Sequence, residues 1–126
     1  MAYQNIVEAR LVSGMPRYLI SFDDGAMDHL GEDLTDVGEA AHRVLRAAKE
    51  SNVWVTGGGL MSQQASIVDI DGSVRLGDYP ETKAVIGGFS IIDVDNHDEA
   101  LVWAARFASA CQCAQEVRLI MDDPEV

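Results

Sequence analysis

The spacing of apolar residues along this chain switches between two periods in a set order, and that order restricts the fold more than any single motif. Residues 17 to 23, Arg-Tyr-Leu-Ile-Ser-Phe-Asp, set Tyr18, Ile20 and Phe22 against Leu19, Ser21 and Asp23. Period two with aromatic and branched side chains marks a strand, and Asp24-Gly25 ends it. Gly31 to Thr35 reads as a polar loop, after which Asp36 caps a helix with Glu39 as its reciprocal partner. Val37, Ala41, Val44, Leu45 and Ala48 then recur at helical spacing, and Asn52 stands where a left-handed residue stops the helix.

Period two returns at Val53-Trp54-Val55-Thr56, which runs out into Gly57-Gly58-Gly59. Ala65 to Asp71 predicts another strand, Asp71-Gly72 a hairpin turn, and Val74 to Leu76 the return arm. Gly87 to Val94 reads as a buried strand whose glycines admit a bulge or a close backbone approach. A second cap follows at Asn96 with Glu99, and Ala100, Trp103, Ala104, Phe107 and Cys111 line one face of a second helix. Glu116 to Met121 predicts the last strand.

Strand, helix, strands, helix, strand is the split βαβ order of a ferredoxin-like α+β sandwich, here with an extra hairpin. Helices in that arrangement cover one sheet face, and the other face needs its own cover. Leu19 beside Tyr18, Ile20 and Phe22 offers bulk to both faces. A second copy of the sheet is the simplest cover, so a symmetric homodimer is expected.

At 126 residues the chain fits one domain whose core needs no disulfides. Nine basic against 21 acidic side chains leave a net charge of -12. Such a surface repels phosphate backbones and anionic membranes, so neither nucleic acid nor membrane is an expected partner. No apolar run approaches the ~20 residues of a membrane helix, and Met1 to Asn5 lacks the basic start of a signal peptide. Cys111 and Cys113 are the only cysteines. They form neither a disulfide framework nor a zinc ligand set, and a reducing cytoplasm is the expected compartment. Three scattered histidines make no metal site. Gly57-Gly58-Gly59 lacks the Lys-Ser/Thr of a phosphate loop and precedes no helix, so no cofactor is expected.

The second half of the chain resembles the YCII-related proteins, in particular the branch named for an Asp-Gly-Pro-Phe motif. The likeness is carried by Glu81-Thr82-Lys83, by Gly87 to Val94, by Asp98 to Arg106 and by Glu116-Val117-Arg118. Val55 to Leu60 is similar to the family's glycine-rich second strand, and Arg17 to Asp24 to its first. The resemblance covers residues from Met15 onward. It divides the chain into an N-terminal extension, residues 1–14, and an α+β barrel domain, residues 15–126. It implies a ferredoxin-like protomer in a dimeric α+β barrel, with a pocket between sheet and helices and no single activity. The signature motif is broken, because this chain reads Leu76-Gly77-Asp78-Tyr79-Pro80. Without gaps Leu76 replaces the family aspartate; with a two-residue deletion Asp78 is that aspartate and Tyr79 the aromatic.

Two residues are candidates for acid–base work. His42 lies near a helix-one histidine of the family's bacterial branch, where a His/Asp pair is suspected of catalysis. Imidazole is a natural general base at neutral pH. The loop where that branch places its aspartate holds Met61, Ser62, Gln63 and Gln64 here, with no acid. Asp78 is the second candidate, a loop carboxylate placed to act as a base or to orient a substrate. Lys83, Arg118 and Tyr79 are the substrate-binding candidates, the two cations suiting a carboxylate or phosphate. For Lys83 and Arg118 a salt bridge with Glu81 or Glu116 is the structural alternative. Two functions follow: an enzyme-like small-molecule pocket, or a non-catalytic dimeric ligand-binding or accessory module. Residues 1–14 are expected to form a short helix from Gln4 to Ser13 that docks on the partner subunit, an edge strand being the alternative.

Overall fold

The computed structural model describes residues 15–61, 65–76 and 86–126. The expected helix in residues 1–14 lies outside them. Strand β1 (Arg17–Asp23) is followed by a 3-10 turn (Asp28–Asp33) and helix α1 (Leu34–Glu50). Then come β2 (Trp54–Gly59), the short arms β3 (Ser66–Val68) and β4 (Val74–Leu76), and β5 (Ile86–Asp93). Helix α2 (His97–Cys111) and β6 (Glu116–Leu119) close the order.

The main sheet has four strands in the order β2-β5-β1-β6, every neighbouring pair antiparallel. Each helix therefore links two strands that run the same way with a third between them, which is the ferredoxin-like split βαβ. The β3–β4 hairpin pairs only with itself among the described residues.

Register decides which side chains meet. Tyr18 lies opposite Ile92 and Leu119, and Ile20 opposite Ser90 and Val117, on the face the helices cover. Tyr18, Ile20, Ile92 and Val94 are buried there with Ala48 of α1 and with Ala100, Trp103, Ala104 and Phe107 of α2. The opposite, outer face carries Leu19 against Ile91 and Arg118, and Ser21 against Phe89 and Glu116. Leu19, Phe89 and Ile91 are half-buried, and among the described residues no helix covers that face.

Helix α2 follows its expected pattern closely. Asn96 is in an extended conformation, and its side chain accepts from the Glu99 N–H at 2.9 Å. Glu99 in turn accepts from the Asp95 N–H at 3.1 Å, one residue ahead of the cap. Ala100, Trp103, Ala104, Phe107 and Cys111 are the buried face, and Gln112 ends the helix at φ 57°.

Helix α1 departs from expectation at its start. Asp36 is not the cap: the helix begins at Leu34, Asp33 precedes it without a side-chain cap, and Asp36 sits in the first turn. The 3-10 turn is kinked at Gly31 (φ 52°, ψ -116°), and the residues after the kink run directly into α1. Asp36 still stabilises the helix, by placing a negative charge at its positive end. Asn52, at φ 60°, is the left-handed stop that was expected.

The hairpin also differs. Val68 pairs with Val74, so the connection takes in residues 69 to 73 rather than two. Asp69 and Ser73 bond at 2.9 Å, the Asp71 side chain accepts from the Ser73 N–H at 2.9 Å, and Gly72 takes φ 86°. Ile70 stands fully exposed at the tip.

Candidate functional site

Two aromatic rings lie flat on the sheet because glycines stand beneath them. A Cβ on Gly57 would strike the Trp54 ring and the Phe89 carbonyl, and a Cβ on Gly88 would strike the Phe22 ring. Trp54 then reaches Phe107 of α2, ring centroids 6.3 Å apart and tilted by 43°. The bulge at Val55, between Trp54 and Thr56, re-aims the strand at this point.

Between these rings and the helices lies a cavity of about 190 Å³. Phe22, Trp54 and Phe107 form its apolar walls, with Met27 and Leu45 beside them. Its polar groups are His42, Ser90, Cys111 and Gln115. A Cβ added at Gly59, another lining residue, meets no atom within 4 Å, so that edge is kept open by the missing side chain.

His42 projects from the middle of α1 and is exposed, which puts it at the cavity mouth. No carboxylate pairs with its imidazole among the described residues. Cys111 ends α2 and is buried, and burial raises its thiol pKa, with a smaller upward push from nearby Cys113. Cys113 is raised chiefly by burial as well, and secondarily by the negative charge of Asp23. Both thiols are therefore protonated near neutrality and are weak nucleophiles. The Gln115 amide makes long contacts of 3.5 and 3.6 Å with the Cys113 carbonyl and sulfur.

The other candidates fall elsewhere. Arg118 lies on the outer face of the sheet, away from the cavity, with Nε 2.9 Å from Glu116 Oε1. That is the structural alternative for Arg118. Asp78, Tyr79 and Lys83 lie outside the described residues. Trp54 is half-buried, packed against the core and lining the cavity. Phe22, Phe107 and Cys111 were legible as inward-facing residues, though not as cavity walls. Gln115 carried no signal, since only the turn after α2 brings it there. Among the described residues no group of three or more potential metal ligands is gathered.

No curated protein matches the chain. The family model described as the YCII-related domain matches residues 17–122, from the first strand to just beyond the last. The chain belongs to the YCII-related family.

Proposed function

We propose that the chain is a small-molecule-binding protein that works as a cytoplasmic homodimer, its ligand entering the cavity between sheet and helices. The observation that carries this reading is the cavity itself. Aromatic walls surround a few convergent polar groups, the usual make-up of a ligand site. His42 at the mouth is the proton-handling group. Asp78 and Tyr79, the remnant of the Asp-Gly-Pro-Phe branch motif, and Lys83 are further candidates on the family resemblance alone.

The dimer reading rests on apolar surface. Leu19, Phe89 and Ile91 lie on a sheet face that no described helix covers, while Ile70, Val68, Val74 and Leu76 of the hairpin are exposed. A second subunit packed there would cover them, with Arg118 and Glu116 at its margin. Residues 15–126 are the folded domain in this account, and residues 1–14 an extension that docks on the partner.

A non-catalytic binding module is the second reading. It is favoured by the absence, among the described residues, of a carboxylate partner for His42, since acid–base catalysis works best through an oriented imidazole.

The test is a crystal soaked with a metabolite mixture, with His42→Gln alongside. Ligand density in the cavity supports the site, and density only elsewhere overturns it. For a ligand identified in this way, turnover that disappears in His42→Gln while binding persists assigns an enzyme. Binding by both proteins with turnover by neither assigns the module.

A further inference from the structure

We propose that the cavity selects uncharged, flat ring compounds carrying one hydrogen-bonding substituent. This rests on the cavity being a ligand site and adds the chemical class it takes. Size is the first argument. An apolar cavity of ~150 Å³ admits benzene, so about 190 Å³ takes a single ring with a substituent, roughly six to ten non-hydrogen atoms.

Shape is the second. Phe22 and Trp54 lie flat on the sheet over Gly88 and Gly57, and Phe107 faces Trp54 at a 43° tilt. Ring walls set at an angle receive a flat guest by stacking on one face and edge contact with another, arrangements that add stabilisation beyond simple burial.

Charge is the third. No Lys, Arg, Asp or Glu is among the described residues that line the cavity. Arg17 and Arg118 are engaged by Asp93 and Glu116 on the outer face. Arg43 and Arg106 border a separate open groove between α1 and α2. An anion entering the cavity would lose its hydration without meeting a fixed cation among the described lining residues, against a protein of net charge -12. A cation would gain from the ring faces and the overall field. It would still be stripped of water with no carboxylate among the described lining residues to receive it. His42, Ser90 and Gln115 supply neutral hydrogen-bonding groups, which suit an amide, hydroxyl or carbonyl substituent.

Benzamide, benzoate and benzamidine share one flat skeleton and carry charges of zero, minus one and plus one. Cyclohexanecarboxamide keeps the amide and removes the flatness. Binding of each is read at pH 8 from the Trp54 indole N–H signal in NMR titrations, with the core Trp103 as internal reference. Gly59→Leu, which fills the open edge of the cavity, is the blocked control. The expected result is benzamide at least tenfold tighter than the other three, with its shift lost in Gly59→Leu. Benzoate or benzamidine binding as tightly as benzamide overturns the charge class. Cyclohexanecarboxamide binding as tightly overturns the preference for flat rings. Both results leave the cavity standing as a site. No Trp54 response to any probe overturns the site and the ligand class together.

Discussion

Arg17 and Asp93 face each other directly across β1 and β5, and the guanidinium grips the carboxylate at two points, 2.7 and 2.9 Å. The hydrogen bond to Asp93 raises the Arg17 pKa, partly offset by burial. The pair sits on the outer sheet face, with about a third of each side chain exposed (32% and 29%). Two-point geometry makes it stronger than a typical surface pair, while solvent keeps it below a buried one. Asp93→Asn is expected to lower stability by about 1 kcal/mol in urea melts, and the loss should shrink in 1 M salt. A loss unaffected by salt would show that packing, rather than charge, holds these strands in register.

Trp103 is 6% exposed on the core face of α2, and the Arg106 guanidinium lies 4.4 Å from its ring centroid. Trp103→Ala should cost ~3 to 5 kcal/mol, the usual range for emptying an aromatic core site. A cost under about 1 kcal/mol in denaturant melts would mean the ring is not a core element.

The three consecutive glycines of β2 should respond very differently to alanine. At Gly57 a methyl meets the Phe89 carbonyl and the Trp54 ring, whereas at Gly58 it meets nothing within 4 Å. Gly57→Ala is expected to cost about 1 to 3 kcal/mol, as overpacking does, and to shift Trp54 fluorescence. Gly58→Ala should stay within ~0.5 kcal/mol of the parent in the same melts. Equal effects at the two positions would contradict the seating of the indole on Gly57.

Buried thiols make stability fall at high pH. Desolvation holds the Cys111 and Cys113 pKa values above the ordinary 9.0 of a thiol. Because the folded state keeps these protons longer, their contribution is complete below the unfolded pKa. It is lost as pH rises through the folded values. Unfolding free energy should therefore decline above about pH 9, and less steeply in Cys111→Ala. In native protein at pH 7.5, a disulfide reagent should label Cys113 before the more buried Cys111. The reverse order would overturn the burial assigned to Cys111.

Light scattering at micromolar concentration should return about twice 13.7 kDa. Obligate interfaces of this kind usually bury well over ~1,500 Å² in total, so a stable monomer at that concentration would rule the dimer out.

Legibility in the sequence varied with how local the cause was. Helix α2 could be read almost residue by residue, because the Asn96–Glu99 cap and the five buried positions all depend on neighbours within four residues. The start of α1 could not, because the preceding 3-10 turn replaced the capping side chain that the pattern implied. The length of the hairpin loop was misjudged for a related reason: Asp71 bonds Ser73 inside a wider turn, so Asp71-Gly72 does not span the strands alone. The cavity was the least legible feature. Gly57 and Gly88 seat rings that register alone brings above them, and His42 meets Phe22 and Trp54 only through the packing of α1 on the sheet. Arg118 was read with two fates, and its proximity to Glu116 on one strand face is the one that alternation along β6 makes natural.

The strand order has a consequence for how the chain comes off the ribosome. β1 is synthesised first, yet its two neighbours are β5 and β6: Arg17 waits for Asp93, and Ser21 for Glu116. Until those segments emerge, β1 has both edges unpaired. Folding dominated by such distant pairings is slow compared with that of a helical bundle. A nascent chain stalled before β6 would expose Tyr18, Ile20 and Phe22 along an open edge, the kind of surface that chaperones hold and that aggregation recruits. The described sheet closes only once β6 has been made.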